Sequence, residues 1–371
     1  MIGLKVVVDG VGLDRPRAGV GVYTAQILHA MSVDRPDCRL TVFGPPGAFV
    51  HVPNSSYRPL PRTRLIGRHL QWPARIRQLK PDAFFGPAGV LPLGDVGCPS
   101  VITIHDLAIY RNAGWFPARQ PLSTRFVVPR SVLRANVVIA VSENTAKDVV
   151  DIFGIPRSRI QVVPHGVAAS FAPMSAEDLA AARARLKLPD RFILFVGTVE
   201  PRKNLETLLE AWAMMRDRPD LVVVGAFGWL YESIRERMQR MGPGLHHIEG
   251  LDPADLPAVY NLARVLAHPA WYEGFGMPPL EAMACGTPVV VSDRASLPEV
   301  VDGAGLVVPA DQPDAWRKAL ETLIGDTDLA ADLRHRGILR AAQFSWSRAA
   351  HLTWRAIDDA IAMPGARRAQ F

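Results

Sequence analysis

Two glutamates with seven residues between them, Glu273 and Glu281, bracket a loop suited to a polyhydroxylated ligand. The stretch reads Glu-Gly-Phe-Gly-Met-Pro-Pro-Leu-Glu. An ionised carboxylate only accepts hydrogen bonds, so it suits sugar hydroxyls and repels phosphate. Gly274 and Gly276 allow a sharp turn and a close approach of backbone to ligand. A helical pattern begins inside the stretch, with Pro278 expected at the first helical position, where its missing N–H costs nothing. The helix start is then expected to present several unpaired N–H groups and about half a positive charge, a seat for phosphate.

A second stretch supplies cations. Phe195-Val196-Gly197 ends a strand pattern, and Arg202 and Lys203 follow just before a helix that starts at Leu205. Arginine grips phosphate oxygens bidentately and lysine adds a compact charge. Two solvated cations are the plainer alternative. His105-Asp106 closes the strand pattern Val101–Ile104, where His105 could orient a sugar hydroxyl or serve a structural role. Cations for phosphate and acids for hydroxyls together describe a site for sugar-like hydroxyls beside a phosphate.

The Glu273–Glu281 pair and its Gly-rich loop resemble the E-X7-E motif of retaining glycosyltransferases of the GT-B fold, family 4 (glycosyl transferases group 1) above all. The Gly197–Leu205 run, His165-Gly166, Ser292-Asp293 and Pro298-Glu299-Val300-Val301 resemble the same family in order and spacing. The resemblance implies that Arg202 and Lys203 clamp a diphosphate, that Glu281 holds the ribose, and that Glu273 holds sugar hydroxyls beside N–H groups near Phe275, Gly276 and Met277. It implies that the helix start Met277–Leu280 meets phosphate charge, that Leu251 lines the base through its backbone, and that His105 touches the donor sugar. Gly19 and Gly21 are similar to the family's glycine loop, with Gly21 near the donor; a flexible turn is the alternative there. The implied reaction moves a hexose, mannose from GDP-mannose first and UDP-sugars next, to a hydroxyl of a glycan or lipid-linked acceptor in polysaccharide or lipopolysaccharide synthesis. No metal and no cofactor are implied, the donor being a substrate.

The elements that must position these residues follow from alternation. At 371 residues the chain suits two domains, and with 49% hydrophobic and 21% charged residues it can bury two cores. β-branched runs alternate with helical patterns, which argues for parallel sheets with helices on both faces. The expected architecture is α/β: two Rossmann-like doubly wound domains facing each other across a cleft. Residues 1–170 form an acceptor-binding domain, 171–345 a nucleotide-sugar-binding domain, and 346–371 a last helix that packs back on the first. The spacing G-x-G-x-x-G is absent, since Thr24 stands where the third glycine belongs, so a dehydrogenase is disfavoured. Asp326-Thr327-Asp328 resembles a D-x-D metal motif but reads better as a helix cap.

Charge is uneven. Through residue 170 there are 20 Lys and Arg against 10 Asp and Glu, and from 171 onward 22 against 26. Arg58, Arg62, Arg64, Arg68, Arg75, Arg77 and Lys80 interleave with Leu65, Trp72 and Ile76, with no acid between Asp37 and Asp82. Such a stretch describes either a peripheral contact with anionic lipid or acceptor, with Arg62, Arg64 and Arg68 foremost, or a solvated basic face. No nucleic-acid motif accompanies it. Cys38, Cys98 and Cys285 show no paired spacing, the first residues read as a strand, and no apolar run approaches ~20 residues. A cytoplasmic setting is expected, with contact at the inner face of the plasma membrane as its extension. A non-hydrolysing sugar-nucleotide epimerase and a non-catalytic sugar-nucleotide binder remain as alternatives.

Overall fold

The structure, a computed structural model, describes residues 3–14, 19–44, 52–59, 67–118 and 123–363. It divides into two units. The first comprises the described residues of Met1–Leu107, Arg119–Gly166 and Ser345–Phe371; the second comprises Ala108–Ala118 and Val167–Phe344.

The first unit is built on seven strands: β1 (Lys5–Asp9), β2 (Arg39–Gly44), β3 (Ser55–Pro59), β4 (Ala83–Gly86), β5 (Ser100–Ile104), β6 (Val137–Ala140) and β7 (Ile160–Val162). They lie in the order β3-β2-β1-β4-β5-β6-β7, all parallel. Every residue of β4, β5 and β6 is buried, as strands covered on both faces must be. Winding reverses between β1 and β4, so the carboxyl ends at Asp9 and Gly86 flank the crevice where such sheets bind ligands. The Gly19–Asp34 helix buries Ile27, Leu28 and Met31 against this sheet, and the Trp346–Ala362 helix lies beside it. Trp354, fully buried, donates from Nε1 to Met31 O at 3.0 Å, and Arg35 pairs with Asp358 at 2.6 Å. The last helix thus completes the first core, as the sequence leads one to expect.

The second unit holds β8 (Phe192–Val196), β9 (Asp220–Val224), β10 (Leu245–Ile248), β11 (Val265–His268), β12 (Val289–Ser292) and β13 (Leu306–Val308), again all parallel, in the order β10-β9-β8-β11-β12-β13. Its winding reverses between β8 and β11, which pair Ile193 with Val265 and Leu194 with Leu266. The short segment Ala108–Ala118 belongs to this unit, held where Trp229 Nε1 donates to Trp115 O at 2.8 Å and the Phe116 ring lies 5.4 Å from that of Trp229.

Local signals account for most boundaries. Ser142 caps the Glu143–Phe153 helix, accepting from Thr145 N at 3.0 Å. Asp326 caps the Thr327–Ala341 helix, accepting from Asp328 N and Leu329 N, so its carboxylate is engaged as a cap. Leu230 takes φ +54°, and the Glu232–Arg240 helix begins only beyond it. No helix among the described residues is long and apolar enough to cross a membrane.

Candidate active site

In the second unit the two chemical stretches meet at the switch point. β8 and β11 are neighbours, so the loop after Val196 and the loop after His268 emerge side by side. The first delivers Arg202 and Lys203 on a single turn, Pro201–Lys203. Asn204 fixes that turn. Its backbone is left-handed, φ +56°, and its buried amide donates to Pro269 O at 2.9 Å and Ala310 O at 2.8 Å, while Oδ1 accepts from Thr207 at 2.8 Å. Trp271 N donates to Arg202 O at 2.9 Å, tying the two loops together.

Glu273 sits where these loops cross. Lys203 Nζ donates to its Oε1, Arg202 Nη1 lies 3.2 Å from its Oε2, and His268 Nε2 lies 2.8 Å from Oε1. A carboxylate cannot donate when ionised, so His268 carries its proton on Nε2. Burial costs Glu273 its charge, but Lys203 and then Arg202 outweigh that cost and hold its carboxyl well below the usual range. Burial lowers His268, which is therefore neutral. Among the described residues three donors fill three of a carboxylate's roughly four acceptor positions, so one can take a ligand hydroxyl. Arg202 also bonds Tyr272 O at 2.9 Å and Glu200 at 2.8 Å. Glu200 is buried, and burial raises its carboxyl despite Arg202 and Lys203.

The loop beyond Glu273 is shaped by Gly276. Its φ is +111°, and a Cβ there would lie 2.9 Å from Leu297 Cδ2, so a side chain meets both strain and a neighbour. Ser296 Oγ lies 2.8 Å from Glu273 O and 2.6 Å from Phe275 O, sharing its one proton between them. The helix is Met277–Ala284, one residue earlier than expected. Its start corrects the expectation of several free N–H groups. Pro278 and Pro279 have none, and Leu280 N bonds Gly276 O at 3.3 Å. Of the cap and first turn, only Gly276 and Met277 can offer an N–H to a ligand. Leu280 is fully buried and offers neither side chain nor N–H. Glu281 accepts from Tyr260 OH at 2.8 Å, and burial pushes its carboxyl up to about 7. Leu251, half-buried, follows Gly250 after β10; Asp252 Oδ1 accepts from Ala254 N at 3.0 Å, a turn cap.

In the first unit, His105 stands at the end of β5. Its Nε2 lies 2.7 Å from Pro87 O, so that nitrogen is the donor and only Nδ1 can serve a ligand. The His165 ring stacks on it at 5.5 Å, and the Tyr23 ring meets its edge at 4.5 Å. Burial lowers both imidazoles, so both are neutral. Tyr23 OH lies 3.1 Å from Thr103 Oγ1. Gly21 is buried in the first turn of the Gly19–Asp34 helix. Arg62 and Arg64 lie outside the described residues. Arg68 is turned inward: its Nε donates at 3.0 Å to Asp9, which is fully buried at the end of β1. That corrects its reading as a lipid-facing cation, because a buried carboxylate holds the guanidinium more strongly than a screened surface does.

Sequence reasoning assigned no role to His268, Glu200 or Asn204. His268 read as the end of an apolar strand, and nothing local marks its contact with Glu273.

Two doubly wound units, one with acids and cations gathered at its switch point, describe the class of α/β protein that binds ligands at strand ends, and comparison narrows it. Residues 177–340 match the family described as Glycosyl transferases group 1, and residues 17–171 match Glycosyltransferase Family 4. The O-antigen chain mannosyltransferase B of Escherichia coli is 28% identical over 371 residues, covering 92% of this chain and 96% of that protein. The D-inositol 3-phosphate glycosyltransferase of Salinispora arenicola is 32% identical over 303 residues, covering 76% of this chain and 68% of that protein. Sucrose-phosphate synthase from Thermosynechococcus elongatus superimposes with a TM-score of 0.76 at 23% identity, over 95% of this chain and 98% of that one. The chain belongs to the group 1, family 4 glycosyltransferases and has their GT-B fold.

Proposed function

We propose that this glycosyltransferase moves mannose, with retention of anomeric configuration, from GDP-mannose to a hydroxyl of a growing glycan or lipid-linked acceptor in polysaccharide or lipopolysaccharide synthesis. The observation that carries this is the convergence of Arg202 and Lys203 on Glu273 beside the Gly276 turn. When the sugar–oxygen bond breaks, charge collects on the leaving diphosphate. Arg202, Lys203 and the N–H groups of Gly276 and Met277 lie together to meet it, and we assign them the role a divalent cation would otherwise take. Glu273, ionised and with one acceptor position left, takes a sugar hydroxyl, and Glu281 takes the ribose. The acceptor oxygen bonds to the anomeric carbon on the face the diphosphate leaves, and its proton passes to a diphosphate oxygen. No enzyme nucleophile is needed.

Mannose and the polymer are supported by the Escherichia coli relative, named for O-antigen chain mannosyl transfer and matched over 96% of its length. The three cysteines are free thiols, which favours a reducing, cytoplasmic compartment. The test needs no acceptor. Purified protein is incubated with GDP-mannose in EDTA, and slow hydrolysis is followed by proton NMR. Mannose released first as the α anomer is expected. First release of the β anomer defeats retention, and thermal stabilisation by UDP-sugars but not GDP-mannose moves the assignment to another donor.

A further inference from the structure

The second unit carries another concave surface at the opposite ends of its strands. Arg191 and Arg264 immediately precede β8 and β11, whereas Lys203 and Glu273 follow them. One wall is the Ala176–Leu186 helix, through Ala176 and Ala180; another is the Thr327–Ala341 helix, through Ala330 and Ala331. Alanines there leave space that longer side chains would fill, and a groove of about 950 Å³ results. That is the size of a small-molecule site. Its floor is apolar, with Leu262 and Leu323 buried beneath it.

Charge around this groove is one-sided. Four arginines and a single acid line it. Arg183 pairs with that acid, Asp190, at 3.1 Å. Arg191, Arg264 and Arg334 have no carboxylate partner among the described residues and are exposed. This stands against a half-chain in which acids outnumber cations, 26 to 22. Three guanidinium groups around one groove match a single multiply charged head better than a lone carboxylate, and guanidinium geometry fits phosphate oxygens. The apolar floor calls for an apolar body attached to that head.

We propose that this groove is a second ligand site, taking an amphiphile that carries a phosphate or diphosphate group. It is independent of the Glu273 cluster. The test replaces all three cations (Arg191→Gln, Arg264→Gln, Arg334→Gln) and compares a control triple elsewhere on the surface (Arg216→Gln, Arg240→Gln, Arg355→Gln). Thermal midpoints establish that both fold. Calorimetry with inorganic pyrophosphate and co-sedimentation with phosphatidylglycerol vesicles give the two arms. The wild type and the control are expected to bind one more equivalent of pyrophosphate than the groove variant. If the head belongs to a lipid, vesicle binding of the groove variant also falls, on the order of a hundred-fold for three cations. Loss of pyrophosphate alone assigns a soluble ligand, and loss with vesicles assigns a lipid. A groove variant equal to wild type in both arms, or a control that loses as much, overturns the proposal.

Discussion

Glu273→Gln separates the two jobs assigned to the switch-point cluster. Glu273 is the counter-ion of Lys203 and Arg202, and the three side chains are only 10–12% exposed. Glutamine keeps the shape but turns one acceptor into a donor that faces other donors. Stripping the acid from buried cations costs about 3–5 kcal/mol. For a unit of this size that is a fall of roughly 6–20 °C in thermal midpoint. The sign with pH is fixed. The folded carboxyl lies well below 4.5, so its contribution is complete above that value and is lost as pH falls through the depressed one. The gap between variant and wild type should therefore be widest at pH 6–8 (about neutral) and shrink below about pH 4. Ligand binding moves the other way. A diphosphate competes with Glu273 for Lys203, and a charge-assisted hydrogen bond is worth about 1.5–3 kcal/mol. Removing the competitor tightens nucleoside diphosphate binding by up to roughly 10- to 100-fold, while sugar transfer falls because a hydroxyl acceptor is gone. Calorimetry with the nucleoside diphosphate and a transfer assay read both. Weakening of diphosphate affinity in step with transfer would refute the counter-ion argument.

Lys203→Ala should raise the transfer barrier by ~2–4 kcal/mol; a rate within about threefold of wild type removes it from the reaction. Glu281→Gln should raise the thermal midpoint more at pH 8 than at pH 5. The folded carboxyl is raised to about 7 by burial, so its ionisation weakens the fold as pH climbs from its unfolded value near 4.5. The same variant should bind nucleotide more weakly by calorimetry, and unchanged affinity contradicts the ribose role. Asn204→Ala leaves Pro269 O and Ala310 O without their donor and puts a Cβ residue other than Asn at a positive φ. Urea unfolding should show a loss of about 2–4 kcal/mol.

Legibility followed burial. β4, β5, β6 and β8 are apolar, β-branched or aromatic runs buried on both faces, and their positions could be read within a residue or two. β3, Ser-Ser-Tyr-Arg-Pro, is an edge strand with one side to solvent, so it carries no apolar alternation and went unseen. The Ala176–Leu186 helix was missed too; its signal was the Ser175 cap with Glu177 and Asp178 in the first turn, not a hydrophobic stripe. At the site, residue types and loops were legible because Gly, Pro, Arg and Lys announce turns and charge locally. The pairing was not. Lys203 and Glu273 are 70 residues apart, and chemistry alone sent one to phosphate and the other to sugar. Only the adjacency of β8 and β11 brings them within one hydrogen bond of each other.

The Trp346–Ala362 helix sets an order of events during synthesis. The first core contains Trp354, Ile357 and Ala360 alongside Val6, Ile27 and Phe85, so residues made before the second core wait for residues made after it. The second core draws on a nearly continuous stretch, Ile193 to Leu333, all of it made before that helix. The unit that starts first therefore finishes second, and its half-built sheet stays open to chaperones or to mispairing until the closing helix emerges.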